Sequence, residues 1–293
     1  MKFEKKMIWS IVSKDEMENF GTDNVFKFYQ EALGRDNIKL AVVEETDNLD
    51  FVSDNDIVLL RTASKQLIDT IRKKGVKTTA EEYNTYYLAD DKLQISRFLL
   101  GKGILASAHR SLDNVKDGIV YFVKPRFGSD SKGVTEKSIC KSKEDVIKQV
   151  DFIDHTCNCE AVIEEFIDGK EYTVVCLYID SNLYCFPIEV DCSDTFGIQT
   201  QQGKSDFTEC GLKLNDGERK EINAIAERVF EKLGVKHHAR IDFRCNKDGK
   251  LYVIDVNLIP GLGPTGDLAR CLLLTENYSY KDALNMVIAS ATK

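Results

Sequence analysis

Hydrophobic positions recur along several stretches of the chain with the spacing of an α-helix. The clearest stretch is 216–233, where apolar residues trace one stripe and Gly234 follows as a favoured C-terminal cap. Another is 142–155, with Ser142 as the N-cap and Asp145 three residues later. The spacing predicts helices over 24–33, 65–74, 91–101, 142–155, 216–233 and 280–289.

Short apolar runs typical of strands alternate with helices in the first ninety residues. These runs are 7–12, 39–43 and 56–60, with 76–79 as a further short candidate. The alternation predicts a small α/β layer with a parallel sheet over residues 1–90. Beyond it the chain is α+β in character and richer in sheet, with strands expected near 121–124, 161–163, 171–179 and 183–190.

Composition and net charge limit the kinds of molecule that the protein is expected to bind. The chain has 293 residues, 43% of them hydrophobic and 30% charged, which is typical of a globular protein. Its net charge of −8 makes nucleic acid a poor partner. No apolar run is long enough to cross a bilayer, the first residues lack the apolar core of a signal peptide, and the nine cysteines are not framed for pairing. We therefore expect a cytoplasmic protein with reduced thiols that does not bind membranes.

Two strand-like runs, 240–244 and 251–257, flank Asp248-Gly249, which is a strong signal for a two-residue hairpin turn. Such a turn would pair Asp242 with Asp255 and Arg240 with Asn257. Because side chains alternate faces along a strand, all four polar groups would share one face. Ile241, Phe243, Ile254 and Val256 would form the opposite face, against the core.

The opposed carboxylates admit two interpretations. Their Cβ atoms would stand about 4.5 to 5.5 Å apart, a separation at which like charges repel unless a cation compensates them. In the first interpretation, the carboxylates of Asp242 and Asp255 bind Mg²⁺, which prefers hard oxygen ligands, and the Asn257 amide oxygen is a third ligand. Alternatively the face is solvated and Arg240 relieves the two acids. The hairpin alone favours neither interpretation.

A loop rich in glycine and serine, 126–134, follows the strand that ends at Lys124-Pro125. Small residues let backbone amides approach an anion, and the lysine adds a positive charge beside them. The loop is not a Walker A motif, because no Gly-Lys-Ser/Thr precedes a helix, and the protein kinase pattern is absent too. By itself the loop is weak evidence for a phosphate site.

Taken in order, these segments resemble the ATP-grasp superfamily, and most closely the D-alanine–D-alanine ligases among its carboxylate–amine (amino-acid) ligases. The resemblance covers about residues 90–270 and rests on Asp91-Lys92, Val123-Lys124-Pro125 with Gly128-Ser129 and Gly133-Val134, the run 163–173, Ala239–Phe243, Asp255-Val256-Asn257, and Pro260-Gly261. It implies an ATP-grasp fold, in which two α+β subdomains over 91–168 and 169–293 clasp ATP. Asp255 stands where the family usually has glutamate, and Gly266 where alanine ligases hold a serine.

The resemblance also implies roles for individual residues. ATP contacts would come from Lys92 and Lys124 on the phosphates, the loop residues Gly128, Ser129, Ser131 and Gly133, the adenine hinge Glu164, Glu165 and Ile167, and the ribose ligand Glu171. Asp242, Asp255 and Asn257 match the family's ligands for Mg²⁺, one ion or two, with Mn²⁺ as an alternative. The catalytic residues would be Arg240, which steadies an oxyanion, and Lys204, on the γ-phosphate.

The activity implied is ATP-dependent joining of a small carboxylate to a small amine. The carboxylate attacks the γ-phosphate to give an acylphosphate and ADP, and the amine then displaces phosphate to form an amide or peptide bond. Two other functions remain open: an ATP-grasp kinase acting on a hydroxyl, and a nucleotide-binding regulator without turnover. The sequence does not identify the carboxylate and amine substrates. It is compatible with a homodimer.

Overall fold

The structure is a computed structural model that describes residues 6–20, 22–129, 131–192, 197–198 and 211–292. Three sheets organise these residues. None of the described helices combines the length and the apolar character needed to span a bilayer.

The first sheet is parallel throughout, as the alternating pattern predicted. Its strands are β1 (Ile8–Ser13), β2 (Ile38–Val43), β3 (Ile57–Leu60) and β4 (Lys77–Thr78), in the order β2-β1-β3-β4. Helices α1 (Lys14–Phe20), α2 (Thr22–Leu33), α3 (Lys65–Lys74) and α4 (Tyr83–Asp90) connect or follow them. The third of these helices ends at Gly75, which takes a left-handed φ of 65° and closes it as expected.

The second sheet is antiparallel and has four strands. Helix α5 (Lys92–Gly101) leads into β5 (His109–Arg110), β6 (Tyr121–Pro125), β7 (Ile139–Cys140), α6 (Lys143–Cys157) and β8 (Ala161–Glu165). The strand order is β5-β8-β6-β7. The predicted capping box of α6 is present, with Ser142 Oγ accepting from the Asp145 amide at 3.1 Å.

The third sheet has five strands and carries helices on both faces. Its elements are β9 (Glu171–Ile179), β10 (Asn182–Val190), β11 (Gly211–Leu212), α7 (Asp216–Leu233), β12 (His238–Cys245), β13 (Leu251–Asn257), α8 (Asp267–Glu276) and α9 (Tyr280–Ser290). The order is β11-β10-β9-β12-β13. Alternate residues of β9 pack to opposite sides: Val174 belongs to the core that includes the apolar stripe of α7, whereas Val175 packs with α8 and α9.

The β12–β13 hairpin has the predicted pairing for a different reason than the sequence suggested. The two-residue turn is wrong: Asn246 and Lys250 close a three-residue turn, with the Asn246 amide donating to the Lys250 carbonyl at 2.9 Å. A β-bulge between Asp242 and Phe243 then shifts the register by one residue. The two errors cancel, so Asp242 opposes Asp255 as predicted.

The bulge changes the position of one side chain. Phe243 pairs with Val253, so Ile254 has no partner in the ladder and lines a cleft instead of joining the core. The predicted core position of Ile254 is therefore wrong, while Ile241, Phe243 and Val256 are buried as expected.

The strands of the three sheets fall within 1–90, 91–168 and 169–293, but two apolar clusters each join residues of the first and third sheets. The domain boundaries themselves stay a prediction. Within the described ranges, the α-helices that the sequence did not predict are α1, α4 and α8.

Candidate active site

A cleft lies between the second and third sheets, and we call it the central cleft. Strands β6 and β8 form one wall and β12 and β13 the other. The predicted residues that line it are Lys92, Lys124, Gly128, Ser129, Ser131, Glu164, Glu165, Ile167, Glu171, Arg240, Asp242 and Asp255. Residues far apart in the chain thus converge on one cleft that holds both lysines and acids.

A buried charge network around Arg240 forms the floor of the central cleft. The Arg240 guanidinium donates to Asp242 Oδ2 and to Asp267 Oδ2, each at 2.9 Å, and Thr173 Oγ1 donates to Asp242 Oδ1 at 2.9 Å. Burial alone would lower the pKa of Arg240, but Asp242, Asp267 and Asp255 raise it overall. This arginine is therefore a permanent, well-oriented cation.

The alternative interpretation, in which solvent covers the polar face of this hairpin, is wrong for Arg240 and Asp242. Arg240 is 4% exposed and Asp242 is 6% exposed, because β12 is an inner strand between β9 and β13. The other half of that alternative is observed, since Arg240 does compensate Asp242. It lies farther from Asp255, at 3.9 Å between Nη2 and Oδ2.

Asp255 and Asn257 connect the central cleft to a second cavity. Asp255 lines both spaces, whereas Asn257 lines only the second. Asn257 Oδ1 accepts a hydrogen bond from the Ile259 amide at 2.8 Å, which fixes the amide group. Among the described residues no three His, Cys, Asp or Glu side chains converge on a possible metal position, so the candidate metal set has two carboxylates and this amide.

Lys124 is held on the opposite wall. Its Nζ lies 3.1 Å from Glu164 Oε1 and donates to the Ile254 carbonyl at 3.0 Å. The ion pair is buried, with His109 Nε2 3.6 Å from the same carboxylate oxygen. Burial lowers the pKa of His109, so this histidine is neutral and Lys124 supplies the positive charge.

A bidentate ion pair positions Lys92 at the rim of the cleft. Asp91 caps α5 and accepts from Arg126 Nε at 2.8 Å and Nη2 at 2.7 Å. This pair ties the start of α5 to the end of β6. Lys92 Nζ then donates to the Gly128 carbonyl at 2.6 Å, at the edge of the predicted phosphate loop.

Glu171 is paired with an arginine that the sequence interpretation missed. Arg244 Nη1 donates to Glu171 Oε2 at 2.9 Å, and the same guanidinium reaches the carbonyls of Ile167 and Gly169 at 2.7 and 2.8 Å. The sequence could have indicated this arginine, because Arg240, Asp242 and Arg244 are spaced by two residues and side chains at that spacing share one face of a strand. Glu165 is likewise paired, with Arg110 at 2.8 Å.

Among the predicted residues that the structure describes, Gly133 and Asn257 are outside the lining of the central cleft. Gly133 takes a φ of 77°, and a Cβ there would approach Cys157 Sγ to 2.7 Å and Pro125 Cγ to 2.9 Å, so this glycine permits close packing of the loop. Lys204 lies outside the described residues.

The second cavity has a volume of about 410 Å³ and lies beside the carboxyl end of the parallel sheet. Open α/β sheets commonly bind ligands at that edge. Its lining includes Tyr29, Arg61, Tyr86, Asp90 and the segment 255–259. Because Gly128, Ser129 and Asp255 line both spaces, a molecule in this cavity would lie next to one in the central cleft.

Comparison with known proteins gives a consistent result. The family model described as D-ala D-ala ligase C-terminus matches residues 102–288. A D-alanine–D-alanine ligase of Fervidobacterium nodosum is 33% identical over 183 residues, which are 61% of this chain and 55% of that protein. The D-alanine–D-alanine ligase of Desulfotalea psychrophila is 29% identical over 52% of this chain and 48% of that protein. The chain therefore spans about half the length of these two relatives.

A solved structure extends the likeness to nearly the whole fold. The crystal structure of D-alanine–D-alanine ligase from Bacillus anthracis complexed with ATP superposes with a TM-score of 0.75 at 20% identity, covering 97% of both chains. This similarity confirms the predicted ATP-grasp fold with its preceding parallel-sheet layer. The family model covers well over half of the chain, and the chain therefore belongs to the D-ala D-ala ligase C-terminus family of ATP-grasp proteins.

Proposed function

We propose that this protein is an ATP-dependent carboxylate–amine ligase, which activates a small carboxylate as an acylphosphate and joins it to an amine. The observation that carries the proposal is the composition of the central cleft. Lys92 and Lys124 line the same space as Asp242, Asp255 and Arg240. Phosphoryl transfer needs cations around the phosphates and carboxylates that can hold a metal, and both are present here.

ATP would occupy the central cleft. The two lysines and the loop residues Gly128, Ser129 and Ser131 would contact its phosphates, with Gly133 allowing the loop to pack closely. Glu164, Glu165 and Ile167 would lie beside the base and Glu171 beside the ribose. The buried ion pairs of Glu164 with Lys124 and of Glu171 with Arg244 support this placement, because they hold the lining side chains in fixed positions.

The donor set at the floor fits a hard divalent cation. Asp242 and Asp255 face each other across two paired strands, and carboxylate and amide oxygens are the ligands that Mg²⁺ prefers. Asn257 Oδ1 accepts the hydrogen bond from the Ile259 amide and keeps a second lone pair for a cation, while Arg240 and Thr173 orient the Asp242 carboxylate. We propose that Asp242, Asp255 and Asn257 hold Mg²⁺ or Mn²⁺, which would neutralise charge on the transferring phosphoryl group.

Arg240 would act in the second step. The acids that orient it raise its pKa, so it stays charged throughout the reaction. A fixed cation in a buried site stabilises the oxyanion that forms when the amine adds to the acyl carbon. Lys204 as a γ-phosphate contact stays a prediction.

The substrates would be small molecules, since the second cavity is of small-ligand size and adjoins the central cleft. We further propose that the protein works in the cytoplasm. Seven of the described cysteines, among them Cys140, Cys176 and Cys271, are free thiols, which suits a reducing compartment.

Turnover with MgATP and pools of amino acids tests the proposal. ADP release should require a carboxylate and an amine together, and hydroxylamine added in place of the amine should give a hydroxamate from the acylphosphate. A stable phosphorylated product without joining would indicate a kinase instead. Nucleotide binding with no ADP release under any pairing would indicate a regulator.

A further inference from the structure

Two cysteines stand at the end of helix α6, on either side of Asn158. Cys157 is the last residue of the helix, and Cys159 follows the capping residue. Both thiols are free and both residues are partly exposed, while Asn158 between them is exposed. The proposed function uses neither thiol, although solvent reaches both.

The backbone of Asn158 sets the distance between the two cysteines. Its φ of 47° and ψ of 45° lie in the left-handed helical region, the mirror image of the right-handed helix. The distance between Cα atoms two residues apart depends on the dihedral angles of the middle residue, and a mirror image preserves it. The radius, rise and angular step of an α-helix give about 5.4 Å for this distance. Disulfides mostly have Cα separations of about 4.4–6.8 Å, so this backbone can hold a bridge between Cys157 and Cys159.

Cys157 packs against the end of the predicted phosphate loop, 126–134. Gly133 is enclosed on two sides, because a Cβ there would approach Cys157 Sγ to 2.7 Å and Pro125 Cγ to 2.9 Å. Cys157 also packs against the apolar core of the second sheet. The sulfur atom therefore forms one wall of the space that Gly133 occupies.

Cys159 is connected to the beginning of the same loop. Its Sγ donates to the Glu160 carbonyl at 3.3 Å, and that carbonyl also accepts from the Arg126 amide at 2.8 Å. The Glu160 carboxylate accepts from Arg126 Nη1 at 2.6 Å. Arg126 in turn forms the bidentate pair with Asp91, the cap of α5. The two cysteines thus lie beside groups that hold both ends of the loop.

A second pair of thiols provides a contrast. Cys176 and Cys185 oppose each other across β9 and β10, with their sulfur atoms 3.0 Å apart. Cys176 is 0% exposed and Cys185 is 8% exposed. Burial and the neighbouring Cys185 thiol raise the pKa of Cys176, so its reactive thiolate is scarce. A dissolved reagent should therefore react with the partly exposed pair at the end of α6 first.

We propose that Cys157 and Cys159 form a reversible thiol–disulfide pair whose oxidation loosens the phosphate loop. The oxidant is a low-molecular-weight disulfide, RSSR. The thiolate of one cysteine attacks RSSR, which forms a mixed disulfide and releases RS⁻. The second thiolate attacks the cysteine sulfur of that bond, forms the internal disulfide and releases another RS⁻. Two electrons pass from the cysteines to the reagent, the two thiol protons end on the released thiols, and an excess of RSH reverses the exchange.

The bridge would disturb the loop whichever sulfur moves. Bonded sulfur atoms lie about 2.05 Å apart, so at least one of the two free thiols must leave its present position. Movement of Cys157 Sγ removes the packing at Gly133, and movement of Cys159 Sγ removes the hydrogen bond to the Glu160 carbonyl. In a reducing compartment such a bridge is transient. A lower affinity for ATP is a further consequence, and this part alone rests on the proposed function.

Mass spectrometry of the full chain tests the pair itself. Oxidised glutathione added to the reduced protein should give a disulfide between Cys157 and Cys159, and dithiothreitol should remove it. Cys157→Ser and Cys159→Ser should each retain one glutathione on the remaining cysteine, because the thiol that would displace it is gone. Cys245→Ser, which removes another partly exposed cysteine, is the matched control and should form the bridge as the wild type does.

Limited proteolysis tests the effect on the loop without any nucleotide. Trypsin cleaves after the exposed Lys132, next to Gly133, and oxidation should raise the rate of this cleavage by about 3- to 10-fold. The double variant Cys157→Ser/Cys159→Ser should show no change when oxidised glutathione is added. Calorimetry with Mg²⁺ and the ATP analogue AMP-PNP should show a Kd about 3- to 10-fold higher for the oxidised wild type.

Three results would overturn the proposal: oxidised glutathione leaves both cysteines reduced, it bridges Cys176 and Cys185 in their place, or the bridge forms and cleavage after Lys132 is unchanged. Failure of the proposed function looks different. In that case AMP-PNP binds neither redox form, while the bridge still forms and still speeds cleavage after Lys132.

Discussion

Neutralising Asp242 should disturb both the activity and the fold. Its carboxylate is 6% exposed and accepts hydrogen bonds from Arg240 and Thr173. Asp242→Asn keeps the shape but leaves the buried Arg240 with Asp267 as its single close anionic partner. Breaking a buried pair costs about 3–5 kcal/mol, and the hydrogen bonds that asparagine retains reduce this, so we expect a loss of about 2–4 kcal/mol in the free energy of unfolding. A solvated carboxylate, which is one of the two interpretations that the sequence left open, would cost little to neutralise.

Asp255→Asn provides the matched comparison. The Asp255 side chain is 21% exposed and lies 3.9 Å from Arg240, so its pairing with Arg240 is weaker than that of Asp242. Neutralising it should lower the free energy of unfolding by less than neutralising Asp242 does. Both variants remove a carboxylate that we propose as a metal ligand, and both should abolish ADP release.

Urea unfolding followed by circular dichroism measures the stability difference, and coupled-enzyme detection of ADP measures activity. Equal urea midpoints for Asp242→Asn and the wild type would refute the reasoning on the buried network. Full activity in a correctly folded Asp255→Asn would refute its assignment as a metal ligand.

Three further predictions follow from the cleft and its supports. Lys92→Met should raise the KM for ATP about tenfold or more, because a phosphate contact is lost, with no change in the urea midpoint; an unchanged KM would argue against that contact. Arg126→Lys should lower the free energy of unfolding by about 1–2 kcal/mol, since lysine cannot form the bidentate pair with Asp91, and a wild-type midpoint in urea would contradict this. Burial lowers the pKa of His238 to about 3 in the folded protein, whereas a histidine in the unfolded chain has a pKa of about 6.5. Between these two pH values the unfolded chain binds a proton at His238 and the folded protein does not. The free energy of unfolding therefore falls as the pH decreases from about 6.5 toward 3, by up to ~1.4 kcal/mol per pH unit. His238→Asn should flatten that slope in urea titrations at several pH values and the exposed His155→Asn should not; equal slopes in all three proteins would contradict the account.

The sequence predicted well where one local pattern determines the structure. Helix α7 begins and ends at the predicted residues because an apolar stripe, an N-terminal cap and a C-terminal glycine agree. The parallel sheet of the first layer followed from alternating strand and helix patterns. The hairpin pairing was correct only because an unforeseen bulge offset a wrong turn. Turn length depends on side-chain hydrogen bonds, such as those that Asn246 Oδ1 accepts from the amides of Asp248 and Lys250, which pattern alone does not reveal.

The remaining features depend on contacts between distant segments. Helix α8 begins at the buried Asp267, whose partner Arg240 lies 27 positions earlier in the chain. Arg61 and Tyr29 line one cavity only because folding brings helix α2 next to the carboxyl end of β3. Arg244 could have been found from its spacing, but its pairing with Glu171 required the register of β9 against β12.

The route of oxygen through the reaction tests the central claim most directly. The protein would be supplied with MgATP, an amino-acid pool labelled with ¹⁸O in its carboxyl groups, and unlabelled water. Attack of a substrate carboxylate on the γ-phosphate predicts that the inorganic phosphate released with ADP carries one ¹⁸O atom. Phosphate free of label, or ADP formed equally well without any amino acid, would contradict the account.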